Sequence, residues 1–154
     1  MKNRLTPLFL FFLTIFLGCS TGSAKKEVMT PEKGKVVDRV ECVSDSGFTY
    51  SVYLPTSYSG KIRFPVILSF DPHGSGNLPV TLYKDLAEKY GYILTGSDNS
   101  RNGQDGNLTM SAIRSLINEV KTRFSVDTNR IYTLGFSGGA RVAVMGAFFP
   151  GGIA

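Results

Sequence analysis

The sequence predicts an α/β domain with a mostly parallel sheet flanked by helices, and three observations carry that reading. Residues 64–70 and 92–95 are continuous apolar runs without polar alternation, the pattern of strands covered on both faces. Segments of helical periodicity separate these runs and follow a third one at 130–134. The connections between them are short, so successive strands lie parallel and are joined by right-handed crossovers.

Each element follows in order. Residues 36–43 and 48–54 are rich in β-branched and aromatic side chains, and Asp45-Ser46-Gly47 between them is a turn, so they form a hairpin. Pro55 and the Ser/Gly cluster through Gly60 end the second strand. After the buried strand 64–70, residues 79–90 form a helix with Val80, Tyr83, Ala87 and Tyr90 on one face, stopped by Gly91. The strand 92–95 leads into a polar loop over 96–107. Thr109 is placed to cap a helix running to about Phe124, with Met110, Ile113, Ile117, Val120 and Phe124 on its packed face and Arg114, Glu119 and Lys121 on a solvated one. The strand 130–134 and a helix over 138–148 close the series.

The chain begins with a different kind of segment. Lys2 and Arg4 precede a ten-residue apolar run, residues 8–17, which is too short for a membrane-spanning helix of roughly 20 residues. It fits the apolar centre of a secretory signal. The run stops at Gly18-Cys19, followed by small and polar residues, and so resembles a bacterial lipoprotein signal, although Phe16 stands where Leu is usual. That resemblance implies cleavage before Cys19, lipidation of its thiol, export, and anchoring to the cell-envelope membrane without spanning it. The expected organisation is a signal over 1–19, a tether over 20–34 and one domain over 35–154.

Composition removes several function classes. With 42% hydrophobic and 19% charged residues the chain is globular, and two cysteines with one histidine leave no set for a Cys/His metal site. The formal charge of +5 rests partly on Lys2, Arg4 and the tether's three lysines against two glutamates, so the domain itself is only weakly basic. No basic block with interleaved aromatics occurs, and nucleic-acid binding is not expected. Cys42 reads as an inert, half-buried thiol. The oxygen-rich stretch 98–107 is superficially like a calcium loop. Its twelfth position is Thr109 and not a closing acid, so it is read as a solvated loop lining the cleft. No metal or cofactor is expected.

The chemistry concentrates at Gly135-Phe136-Ser137-Gly138-Gly139, a G-x-S-x-G pattern between a strand and a helix. The turn is tight enough that side chains two residues either side of Ser137 would strike neighbouring backbone, and the serine is pushed into a strained conformation that exposes its hydroxyl. Ser137 then sits at a helix N-terminus, where free N–H groups favour developing negative charge. Neither G-x-G-x-x-G nor a Gly-Lys-Ser/Thr ending is present, which argues against a phosphate loop.

A second element agrees: the strand 64–70 runs into Asp71-Pro72-His73-Gly74-Ser75-Gly76. Together with Tyr53-Leu54-Pro55 and the stretch 126–132, these motifs resemble the α/β-hydrolase superfamily, with a flavour of polyhydroxybutyrate depolymerases, feruloyl esterases and dienelactone hydrolases. The resemblance covers roughly residues 48–154. It implies a serine hydrolase acting on small or polymeric carboxylic esters, with Ser137 as nucleophile. It further implies an oxyanion hole from the N–H groups of Gly138 and of Ser75 or Gly74. His73 precedes the serine, whereas this fold orders its triad as serine, acid, histidine, so His73 is expected to brace the oxyanion loop and not to act as base. The acid and base of the family follow later strands. The sequence is therefore expected to be the N-terminal part of an α/β-hydrolase fold with its C-terminal strands missing, inactive by itself. A peptidase shares these residues, and a non-catalytic surface lipoprotein that keeps the hydrolase core for binding is the rival of another class.

Overall fold

The computed structural model describes residues 30–149 and 153; the leader, Cys19 and most of the tether lie outside them. In chain order the elements are β1 (Val36–Glu41), β2 (Thr49–Tyr53), β3 (Phe64–Phe70), α1 (Asn77–Tyr90), β4 (Ile93–Ser97), α2 (Gly106–Arg123), β5 (Val126–Gly135) and α3 (Gly138–Ala147). The strands form one sheet in the order β1-β2-β4-β3-β5. β3 pairs parallel with both β4 and β5, as short crossovers require. β2 inserts antiparallel between β1 and β4, so the sheet is mixed, parallel across β4-β3-β5 and antiparallel at the β1–β2 side. The reason is the hairpin: a strand reached by a tight turn must run antiparallel to its partner, and β2 then carries that reversed direction into the sheet.

β3 occupies the predicted residues and is buried along nearly its whole length, with Val66 and Leu68 fully inaccessible. α2 covers it with Ile113, Leu116, Ile117 and Val120 in one core cluster with Phe70, Ile93 and Phe124. This core holds the C-terminal ends of β3, β4 and β5 in place, where the candidate site lies. Among the described residues no helix is long and apolar enough to cross a membrane.

Several expectations need correction. α2 begins earlier than Thr109: Asp105 is the cap, its Oδ1 accepting from the N–H groups of Asn107 (2.9 Å) and Leu108 (3.2 Å). Thr109 lies inside the first turn and donates its hydroxyl to the Asp105 carbonyl. Glu119 is not solvated but fully buried. Its carboxylate accepts from Val43 N–H (2.8 Å), Tyr50 Oη (3.0 Å) and Arg123 Nη1 (2.9 Å), tying α2 to the β1–β2 hairpin. Tyr90 is 62% exposed, so the packed face of α1 reduces to Val80 and Ala87. Cys42 is buried, and burial together with Glu119 pushes its thiol up to about 12.

β5 reaches back to Val126 through polar residues. Val126 faces Phe64 and Ile131 faces Val66, so residues 127–130 bulge out of the ladder. The bulge is closed by Arg130 Nε on Asp127 Oδ2 at 2.6 Å and by Asn129 N–H on Asp127 Oδ1.

Candidate active site

The turn between β5 and α3 has the geometry that its glycines demand. Ser137 sits at φ 52° and ψ −119°, a backbone region that L-residues avoid. A Cβ on Gly135 would lie 2.2 Å from the Gly139 carbonyl oxygen, and one on Gly139 would lie 2.0 Å from the Phe70 carbonyl oxygen. Both obstacles are backbone, so the strand, the turn and the neighbouring β3 approach as closely as they do only because these positions lack side chains. Ser137 is exposed and makes no capping bond to its helix. Its hydroxyl is therefore presented outward, and among the described residues no side chain accepts a hydrogen bond from it. Gly138 follows as the first residue of α3, where an N–H has no acceptor within the helix.

Asp71 organises the loop after β3. It is 7% exposed, and its Oδ1 accepts from the N–H groups of His73 (2.8 Å) and Ser75 (3.3 Å), while its carbonyl accepts from Gly74 N–H (3.2 Å). Both loop donors expected from the sequence, Gly74 and Ser75, are thus engaged with Asp71. The His73 imidazole lies 3.5 Å from Asp71 Oδ1 with its side chain 84% exposed, so the clamp on this loop is chiefly the aspartate. Sequence reasoning passed over Asp71, although an aspartate before proline at a strand end is a recognisable turn signal.

The loop after β4 is cross-braced and not merely solvated. Asp98 Oδ1 accepts from Gly76 N–H at 3.0 Å and its Oδ2 from Thr49 Oγ1 at 3.1 Å, and burial raises its carboxyl above the usual range. Asn99 Oδ1 accepts from Thr49 N–H at 2.7 Å, and Gln104 Nε2 donates to the Asn99 carbonyl at 2.7 Å. Asn102 N–H donates to the Pro72 carbonyl at 2.8 Å, joining this loop to the loop after β3. The Asn102 carboxamide covers Gly138 so closely that a Cβ there would lie 1.8 Å from Asn102 Oδ1. Asn102, unlike Asp71, carries no signal in the sequence beyond lying in a polar loop.

Two clefts flank the elbow. One of about 280 Å³ is apolar, lined by Phe70, Leu78, Leu82 and Phe136 and bounded by Asp71. The other, of about 260 Å³, lies on the α2 side and is bounded by Gly138 and Arg141. A larger cavity, about 480 Å³, lies between α1 and the sheet face at Ile67, Leu94 and Tyr132 and includes no residue of the elbow. Among the described residues no group of His, Cys, Asp and Glu is arranged to hold a metal ion.

No protein-family model and no curated protein matches the chain. Solved structures do. Esterase 2 of Thermogutta terrifontis, seen phosphonylated by sarin, superposes with a TM-score of 0.60 at 17% identity over 78% of this chain and 47% of that one. EstE1, a thermostable carboxylesterase cloned from a metagenomic library, gives 0.57 at 16% identity, covering 76% of this chain and 42% of that one. An S-formylglutathione hydrolase from Agrobacterium tumefaciens gives 0.51 at 19% identity over 65% and 47%. The chain spans about half the length of these proteins. At such identities the likeness is one of fold: a partial α/β-hydrolase fold, shared with esterases.

Proposed function

We propose that this protein is a serine hydrolase cleaving carboxylic esters through an acyl-enzyme on Ser137. The observation that carries this reading is the strained, outward-facing serine at the start of α3, held by two glycines that abut backbone. The likeness in fold to esterases supports it. In the proposed reaction Ser137 Oγ attacks the ester carbonyl carbon as its proton passes to a base. The carbonyl oxygen takes negative charge, stabilised by Gly138 N–H and a donor from the Gly74–Ser75 loop, each such donor contributing roughly 3–4 kcal/mol in acyl transfer. The alcohol leaves with a proton, and water then releases the acid and restores Ser137. The loop N–H groups meet Asp71 at 3.2 and 3.3 Å, long contacts against which a charged oxyanion competes well.

The acid and base are assigned beyond Ala154, following the serine as the order of this fold requires. Residues 1–154 alone are then inactive or nearly so, because an unassisted serine hydroxyl is a poor nucleophile. We further propose that the protein is exported and held at the envelope membrane by lipid on Cys19, which places an ester substrate, small or polymeric, outside the cytoplasm. Peptide cleavage uses the same residues and differs in the pocket. The reading of a non-catalytic lipoprotein draws on one observation, the lack of a base beside Ser137 among the described residues.

A fluorophosphonate probe decides between them, since it reacts with activated serines. The native protein, isolated from its membrane and labelled, is expected to carry the probe on Ser137 and a lipid on Cys19, with an intact mass well above that of residues 19–154. A full-length protein that stays unlabelled would retire the hydrolase reading.

A further inference from the structure

The cleft on the α2 side of the elbow is bounded by Arg101, Asn102, Gln104, Gly138, Arg141 and Met145. Its volume, about 260 Å³, accommodates a group of several heavy atoms. Two guanidinium groups line it and no acid does. The nearest carboxylate in sequence, Asp105, caps α2 through its Oδ1 and does not line the cleft. Among the described residues neither Arg101 nor Arg141 forms an ion pair. Arg141 has one weak polar contact, Nη2 to Asn102 Oδ1 at 3.4 Å. Arg123 and Arg130, by contrast, are paired with Glu119 at 2.9 Å and Asp127 at 2.6 Å. What sets Arg101 and Arg141 apart is that both line one cleft, next to Gly138, with no acid among its lining residues.

The positions of both are fixed by structure that also builds the elbow. Arg101 bridges to His73, and its neighbour Asn102 is bonded to Pro72, so the arginine rides on the braced pair of loops. Arg141 lies one turn into α3, four residues after Ser137, where the positive end of the helix adds to its charge. Guanidinium groups pair in bidentate fashion with planar anions. We propose that this cleft is a subsite for a carboxylate carried by the substrate, so that the esters taken at Ser137 are acidic ones with a free carboxylate a few bonds from the scissile carbonyl. This rests on the serine-esterase reading, and it names a substrate class for the same site.

The test compares p-nitrophenyl hemiglutarate with its neutral counterpart p-nitrophenyl valerate on the native full-length protein. The ratio of kcat/KM is expected to favour the hemiglutarate, and Arg101→Gln with Arg141→Gln is expected to lower that ratio on the order of tenfold, the size of a lost charge-assisted hydrogen bond. Arg141→Lys keeps part of the preference, and Arg114→Gln, which touches Phe149 away from the cleft, leaves the ratio unchanged. A ratio that is the same in the native protein and the double variant overturns the subsite. Failure to turn over either ester overturns the esterase reading instead. Titration with glutarate by calorimetry then decides the subsite separately: binding weakened in the double variant supports it, and no binding to the native protein overturns it.

Discussion

Replacing Ser137 by alanine and, separately, by glycine should part backbone strain from chemistry. At φ 52° and ψ −119° any residue with a Cβ is strained, at a cost of about 1–3 kcal/mol. Alanine keeps the Cβ and therefore the strain. It removes only an exposed hydroxyl that makes no capping bond, so S137A should lie within about 0.5 kcal/mol of the native stability. Glycine relieves the strain but gives the unfolded chain more freedom, which offsets roughly 0.4–1 kcal/mol of the gain. The balance makes S137G more stable than S137A by up to about 2 kcal/mol. At an unstrained position inside a helix the order is reversed. Urea unfolding of the native full-length protein and the two variants measures the difference, and both variants should lose fluorophosphonate labelling at this residue. If S137G proves less stable than S137A, the elbow is not strained as argued, and the case for an activated serine loses its structural support.

Other outcomes follow from the same geometry. G139A should destabilise by about 1–3 kcal/mol or more through overpacking, because its Cβ meets the Phe70 carbonyl 2.0 Å away, outweighing the roughly 1 kcal/mol that alanine gains in a helix; chemical denaturation reads this, together with reduced labelling of Ser137. E119A should cost about 3–5 kcal/mol, since it removes the carboxylate that neutralises the nearly buried Arg123 guanidinium and takes away the acceptor of Val43 N–H and of the Tyr50 hydroxyl. A loss below about 0.5 kcal/mol would instead match a solvated glutamate. Cys42 should resist thiol reagents at pH 8 until the protein unfolds. Its folded thiol is raised from 9.0 to about 12, so the stability this contributes is present in full below pH 9 and is lost as pH rises from 9 towards 12, measurable by unfolding across that range.

The elbow was legible because its requirements are local. Gly135 and Gly139 flank a serine between an apolar strand and a small-residue helix, and the steric conflict that forbids side chains there arises within five consecutive residues and the adjoining β3. The buried strand 64–70 was equally plain, since a parallel strand covered on both faces must be apolar throughout. Hairpin, helices and the class of fold followed from periodicity and turn residues.

What the sequence left open depends on partners far away in the chain. The polar face of α2 reads as solvated until the β1–β2 hairpin closes over it, when Glu119 acquires Val43 and Tyr50, 76 and 69 residues distant, and becomes a buried anchor. Asp98 and Asn99 look like a soluble loop until Thr49 and Gly76 are brought against them. Asn102 gains its place over Gly138 only when the loops after β4 and β5 meet. The strand order β1-β2-β4-β3-β5 decided all of these, because it sets which loops lie side by side at the edge of the sheet. A hydrogen bond between residues distant in sequence leaves no periodicity behind it. The sequence by itself thus determined the strands, the helices and the serine turn, and tertiary packing alone decided which polar side chains are buried, which are free, and that Arg101 and Arg141 line one cleft with Gly138.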